Sequence, residues 1–130
     1  MKDIILLIII SFLVSCKKEI QPPIELIGKW KIHFKEHKII DGGGIFIWTD
    51  TITSNNKTFE FLTNWTVITN KYYPNCKGKY WLTENNKHLN ISFECNNALP
   101  DYNIYKNTKD TLILEKDDGI DIYKEIYLKE

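Results

Sequence analysis

The chain has 130 residues, with Lys+Arg 17 against Asp+Glu 17 and a formal net charge of +0. That length suits one domain around a single core, and the balance excludes both the basic excess of a nucleic-acid binder and the acidic tail of a protein with a charged partner. Every basic residue is Lys, so no side chain offers the planar fork that captures phosphate or carboxylate bidentately.

The chain opens on Met1-Lys2-Asp3, an apolar run over residues 4–10, Ser11-Phe12 and Leu13-Val14-Ser15-Cys16. A basic start, a short apolar stretch and a small residue before a cleavage point predict a secretory signal peptide. The run is well short of the about 20 apolar residues that span a bilayer. Leu13-Val14-Ser15-Cys16 resembles the lipobox of bacterial lipoproteins, in which the Cys is acylated and becomes the amino terminus. The resemblance implies a signal peptide over 1–15, lipidation at Cys16, and attachment to the membrane through that anchor. Lys17, not Asp, follows the Cys, so the inner-membrane retention signal of other bacteria is missing and the outer membrane is the expected address. The polar stretch ending in Pro22-Pro23 makes residues 16–23 a short tether, and the folded domain is expected over 24–130. Export places Cys76 and Cys95, the two remaining cysteines, in an oxidising compartment, where a disulfide between them is expected.

From Gly28 onward the pattern has period two. Lys29-Trp30-Lys31-Ile32-His33-Phe34-Lys35 alternates strictly, so Trp30, Ile32 and Phe34 are predicted on an inner face, and the lysines and His33 on an outer one. Further strands are expected over 45–53, 57–62, 66–72, 78–83, 88–94, 102–106, 111–115 and 120–128. They are divided by Gly42-Gly43-Gly44, Ser54-Asn55-Asn56, Thr63-Asn64 and Asp118-Gly119. Evenly spaced short strands with no helical period indicate an all-β barrel or sandwich. A hairpin centred on Asn85-Asn86 would oppose Leu82 to Leu89, Tyr80 to Ile91, Gly78 to Phe93 and Cys76 to Cys95. The same register sets Lys77 against Glu94 on the other face. A two-residue turn would place the cysteines at a hydrogen-bonded pair, and a four-residue turn over 84–87 at a non-hydrogen-bonded one.

Catalytic and metal-binding patterns are missing. Ser54 and Ser92, the serines left after cleavage, lie in no nucleophile elbow. His33 and His37 share the predicted outer face about 13 Å apart, too far for one metal, and read as surface histidines. His88 has no evident partner. Gly42-Gly43-Gly44 lacks the Lys-Ser/Thr of a phosphate loop and reads as a flexible connection. No enzyme activity, cofactor or nucleic-acid partner is expected.

Gly28-Lys29-Trp30 at the start of the first strand resembles the Gly-x-Trp of lipocalins. The wider order resembles the small lipocalin-like lipoproteins of Bacteroidetes-type bacteria: Ile27-Gly28-Lys29-Trp30, Thr58-Phe59-Glu60-Phe61, Tyr80-Trp81 with Leu89-Asn90-Ile91, Tyr102-Asn103-Ile104, Asp110-Thr111-Leu112-Ile113-Leu114 and a Tyr-bearing last strand. The resemblance implies an antiparallel up-and-down β-barrel of about eight strands, with Gly28 and Trp30 closing one end. Lipocalins lay an Arg over that Trp from late in the chain, and none exists here. They also carry a Gly at the third-strand turn, where Trp65 stands. Alternation turns Phe34, Phe59, Phe61, Tyr80 and Phe93 inward. Such a set either lines a pocket for a small hydrophobic ligand, with Tyr80 as its polar handle, or fills the barrel. The first outcome points to a ligand-binding lipoprotein. The second points to an interaction module for another envelope protein.

Overall fold

The computed structural model describes residues 19–40, 46–51, 56–97, 99–117 and 121–130. Cys16, Gly42-Gly43-Gly44 and Asp118-Gly119 lie outside the described residues. Nine strand segments follow one another: β1 (Gly28–Ile40), β2 (Phe46–Thr51), β3 (Thr58–Phe61), β4 (Thr66–Thr69), β5 (Cys76–Thr83), β6 (His88–Phe93), β7 (Asp101–Asn107), β8 (Thr111–Asp117) and β9 (Asp121–Lys129). Each pairs antiparallel with its neighbour in the sheet, and β9 returns to β1 to close it. β2 lies against residues 35–40 of β1 and β3 against residues 28–31. The two therefore share one strand position in two pieces, and the molecule is the expected eight-position antiparallel barrel.

The β5–β6 hairpin has the register expected from its sequence: Leu82 faces Leu89, Tyr80 faces Ile91 and Gly78 faces Phe93. Its turn is the four-residue one. Glu84, Asn85 and Asn86 take φ values of 54°, 57° and 65°, and Lys87 N donates to Glu84 O at 3.3 Å. Asn side chains tolerate that left-handed region. Glu94 N donates to Lys77 O at 2.9 Å, so the cysteine pair falls at the non-hydrogen-bonded position that follows. Cys76 and Cys95 are joined, with Cα atoms 5.7 Å apart. Gly78 is required by close approach: a Cβ there would stand 2.5 Å from Ser92 O.

One end is closed by residues 22–30. Leu26 N donates to Pro23 O at 3.0 Å, a single turn that folds Leu26 under the barrel, where it is fully buried. Trp30, also fully buried, donates from Nε1 to Leu26 O at 2.8 Å. Lys129 supplies the cation that no Arg is present to give, its Nζ 5.0 Å from the Trp30 ring centroid. Gly28 makes room for it: φ is +129°, and a Cβ would meet Lys129 Cε at 2.7 Å. Trp65 takes φ 63°, the left-handed region suited to glycine. It packs on Tyr80 at 5.2 Å and donates from Nε1 to Ile20 O at 3.0 Å, tying the tether to the closed end.

The expected alternation of β1 fails after Ile32. Ile32 pairs with Tyr127, but Phe34 pairs with Ile126, so His33 is the extra residue of a β-bulge. One inserted residue exchanges the faces of everything beyond it. Phe34 therefore turns to the outer face, while Lys35, opposite Glu125, and His37, opposite Tyr123, turn inward. A second bulge in β7 leaves Tyr105 exposed with Lys124 Nζ over its ring at 4.1 Å.

Trp30→Ala is expected to cost about 3–5 kcal/mol, a large share of the roughly 5–15 kcal/mol holding a domain of this size. Urea denaturation measures this, and wild-type stability in the mutant would show that the indole does not close the barrel.

Candidate functional site

Phe59, Phe61, Tyr80 and Phe93 do meet inside the barrel, but against one another. Ring centroids are 5.8 Å apart for Phe59–Phe61, 5.0 Å for Phe61–Tyr80 and 6.5 Å for Phe59–Phe93. Leu89, Ile91, Leu112, Leu114 and Val67 fill the space around them, all within one buried cluster. The Tyr80 hydroxyl, the expected polar handle, is already used: it donates to Leu62 O at 2.7 Å. Phe34 stands apart on the outer face.

The cavity lies above this layer, at the end away from Trp30. It holds about 230 Å³ and is lined by Lys35, Lys71, Tyr72, Tyr102, Lys116, Tyr123 and Glu125. A crevice of about 240 Å³ elsewhere, between Glu19, Ile20, Gln21 and Thr63, Asn64, Trp65, is the seam where the tether crosses the closed end. It gathers no converging charges.

Lys71 reaches the cavity because the chain is steered there after β4. Buried Thr69 donates from Oγ1 to Thr58 O at 2.7 Å and accepts from Lys71 N at 3.0 Å. Asn70 accepts from Thr58 N and donates to Asn56 O, both at 2.8 Å. The Cys76–Cys95 bond fixes the other end of the 70–75 loop to the end of β6. Held at both ends, the loop drops the Lys71 side chain into the barrel mouth. Its Nζ lies 2.6 Å from both Oε1 and Oε2 of Glu125 and 3.3 Å from the Tyr102 hydroxyl. Tyr127 donates its hydroxyl to Glu125 Oε2. The Lys71 ammonium also sits 5.5 Å from the Tyr102 ring centroid and 5.6 Å from that of Phe59, so aromatic faces form its bed. Across the mouth Lys35 Nζ stands 4.3 Å over the Tyr123 ring, on which His37 is stacked at 4.3 Å.

Burial alone would raise the Glu125 carboxyl; the Lys71 ammonium and the hydrogen bonds from Lys71 and Tyr127 outweigh it and hold the group below the ordinary 4.5. Burial pulls the Lys71 amine below 10.5, with Glu125 opposing. Burial also pushes the phenols of Tyr72, Tyr102 and Tyr127 upward, so at neutral pH they remain hydrogen-bond donors.

Sequence reasoning missed Lys35, Lys71, Lys116, Tyr102, Tyr123, Glu125 and Tyr127 as a group. Two signals were present. Tyr123, Glu125 and Tyr127 share one phase of the last strand, and Lys71 closely precedes the bridged Cys76. His37, expected at the surface, is turned inward by the bulge. His88, for which no partner was evident, has its Nδ1 2.9 Å from Asn103 Oδ1 and its Nε2 3.4 Å from Asp101 Oδ2.

No protein-family model matches the sequence, and no curated protein matches it significantly. Among solved structures, the fold is similar to that of a lipocalin-like protein from Bacteroides uniformis ATCC 8492, with a TM-score of 0.58 and 15% identity, covering 82% of this chain and 99% of that one. It is also similar to an uncharacterized protein from Bacteroides eggerthii DSM 20697, with a TM-score of 0.56 and 15% identity, covering 81% and 99%. At that identity the likeness is one of fold: a closed, lipocalin-like antiparallel barrel.

The folded-state depression of the Glu125 pKa has a sign that can be tested. The stability it contributes is full above about 4.5 and is lost as pH falls through the folded value. Lys71→Met leaves Glu125 buried without its cation and is expected to cost about 3–5 kcal/mol at pH 7. The difference from wild type should shrink as the pH falls, beginning above 4.5, where the buried and unpaired carboxyl of the mutant takes up its proton, and continuing below it, where the wild-type carboxyl does. Denaturant titrations at pH 7 and in acid measure it; an equal loss at both would show that the ion pair is not what the mutation breaks.

Proposed function

We propose that this is a lipid-anchored, non-enzymatic binding barrel whose ligand site is the polar cavity at its open end. One observation carries the reading. The apolar interior is occupied by its own side chains, whereas the open space of about 230 Å³ is ringed by lysines, tyrosines and one carboxylate. A volume below the roughly 300–1,000 Å³ usual for drug-sized ligands, with polar groups converging on it, suits a small polar molecule better than a long lipid chain. The lipocalin-like fold supports binding in the mouth of a barrel.

Lys116 is exposed at the rim and can be enlarged without disturbing the core. A saturation-transfer NMR screen of small organic fragments should give hits that compete with one another. Those hits should vanish in Lys116→Trp while the melting temperature stays unchanged. Hits untouched by this plug would move the ligand site elsewhere. A screen with no hits would favour a second reading that rests on a different observation. Tyr73 and Leu99, 55% and 71% exposed, stand on the two connections flanking the Cys76–Cys95 bond, an apolar lip suited to another envelope protein.

The anchor rests on the Leu13-Val14-Ser15-Cys16 motif. Residues 19–23 run along the closed end, so an anchor at Cys16 leaves the mouth facing away from the bilayer. A fatty-acid analogue should label the wild type and not Cys16→Ala, and fractionation should place the protein in the outer membrane. Equal labelling of both would refute the anchor, and recovery in the inner membrane alone would refute the address.

A further inference from the structure

We propose that the ligand is a small organic anion with a flat, unsaturated body, its charge received by Lys35 and Lys116 and its body set among the tyrosine side chains of the mouth. This rests on the open-end cavity being the binding site.

The first support is charge. Three ammonium groups, of Lys35, Lys71 and Lys116, line the cavity against the single carboxylate of Glu125. Glu125 is already committed, with Lys71 at 2.6 Å from each oxygen and the Tyr127 hydroxyl on Oε2. Among the described residues neither Lys35 nor Lys116 has a carboxylate within ion-pair distance. Two positive charges therefore remain facing a partly enclosed space, where the field is screened less than at an open surface. A cation would be repelled there, and a neutral molecule would leave the excess uncompensated.

The second support is the walls. Tyr72, Tyr102 and Tyr123 line the same space; Lys35 and His37 already lie against the Tyr123 ring and Lys71 against that of Tyr102. The Tyr72 and Tyr102 hydroxyls lie 3.5 Å apart, so a ligand oxygen entering near them can accept from either. Ring edges favour a flat partner that can meet them edge-on. The volume is small for a long acyl chain.

The test is a pair of probes that share one ring system and differ in charge: 2-naphthoate and 2-naphthamide. Titration calorimetry on the full-length protein should give saturable, one-to-one binding of the naphthoate that weakens as salt is added. The naphthamide should bind at least about tenfold more weakly, the size of one charge-assisted hydrogen bond. Lys35→Gln and Lys116→Gln should each weaken the naphthoate about five- to tenfold, leaving the naphthamide unchanged. Equal affinity for the two probes, or lysine variants that bind the naphthoate as wild type does, would overturn the anion inference and leave the cavity as a binding site. If neither probe binds, the anion inference falls, and the Lys116→Trp fragment screen decides separately whether the cavity binds at all.

Discussion

Closing eight strand positions into a barrel leaves an interior only just wide enough for side chains, and the rest of this structure depends on how that narrow space is shared. The lower part is apolar and full, from Leu26 and Trp30 up through Phe61, Phe59 and Phe93. The upper part is polar and incompletely filled, from Glu125 and Lys71 to the rim at Lys116. The boundary runs through Tyr127, whose ring packs 5.5 Å from Phe59 while its hydroxyl reaches Glu125. An aromatic side chain with one polar end suits a position where one neighbour is hydrocarbon and the other a carboxylate.

A buried ion pair is weak evidence for stability, because desolvation of both charges offsets their attraction unless the remaining hydrogen-bonding capacity is met. Here it is largely met: Glu125 receives Lys71 on both oxygens and Tyr127 on one, and Lys71 also lies near the Tyr102 hydroxyl. Leu or Phe at those positions would complete the apolar filling with less desolvation, so hydrophobic packing alone gives no reason for this arrangement. The surrounding structure is organised to hold it. Thr69 and Asn70 anchor the start of the 70–75 loop, and a disulfide anchors its end. Such a bond contributes on the order of 3 kcal/mol by restricting the unfolded chain. Here it also limits how far Lys71 and Tyr72 can leave the mouth.

What was legible in the sequence follows from the range of each signal. The β5–β6 register could be derived because local evidence agreed: turn residues, apolar pairs and two cysteines converged on one alignment. Trp30 could be placed because Gly28-Lys29-Trp30 sits at the start of a strictly alternating strand. The site was hidden by a single residue. A bulge at His33 leaves no mark on the alternation of residues 29–35, which continues unbroken through it, yet it decides whether Phe34 or Lys35 enters the barrel. The signal that selects the bulge is not local. Beyond it Lys35 and His37 meet Glu125 and Tyr123 on β9, 90 and 86 positions away in the register. Lys71 was illegible for a similar reason, since a lysine in a polar loop looks solvated until Thr69, Asn70 and the disulfide are seen to turn it inward.

The absence of Arg links the two ends of the barrel. At the closed end an aliphatic stem passes through the space left by Gly28 and sets one ammonium over Trp30. A side chain at Gly28 would meet that stem at Cε, so Gly28 and Lys129 are a matched pair. At the mouth the same residue type has a different consequence. A guanidinium would impose a planar two-point geometry, whereas an ammonium is a compact charge on a flexible stem. A proposed site ringed by Lys35, Lys71 and Lys116 would therefore select by charge and size without selecting between a carboxylate and another small acid group. Lys71 is clamped by Glu125, whereas Lys35 rests on the Tyr123 ring and Lys116 stands at the exposed rim, neither with a carboxylate within ion-pair distance among the described residues. Specificity in the proposed site would then come from the tyrosine walls and the filled floor beneath, and the attraction from the ammonium groups.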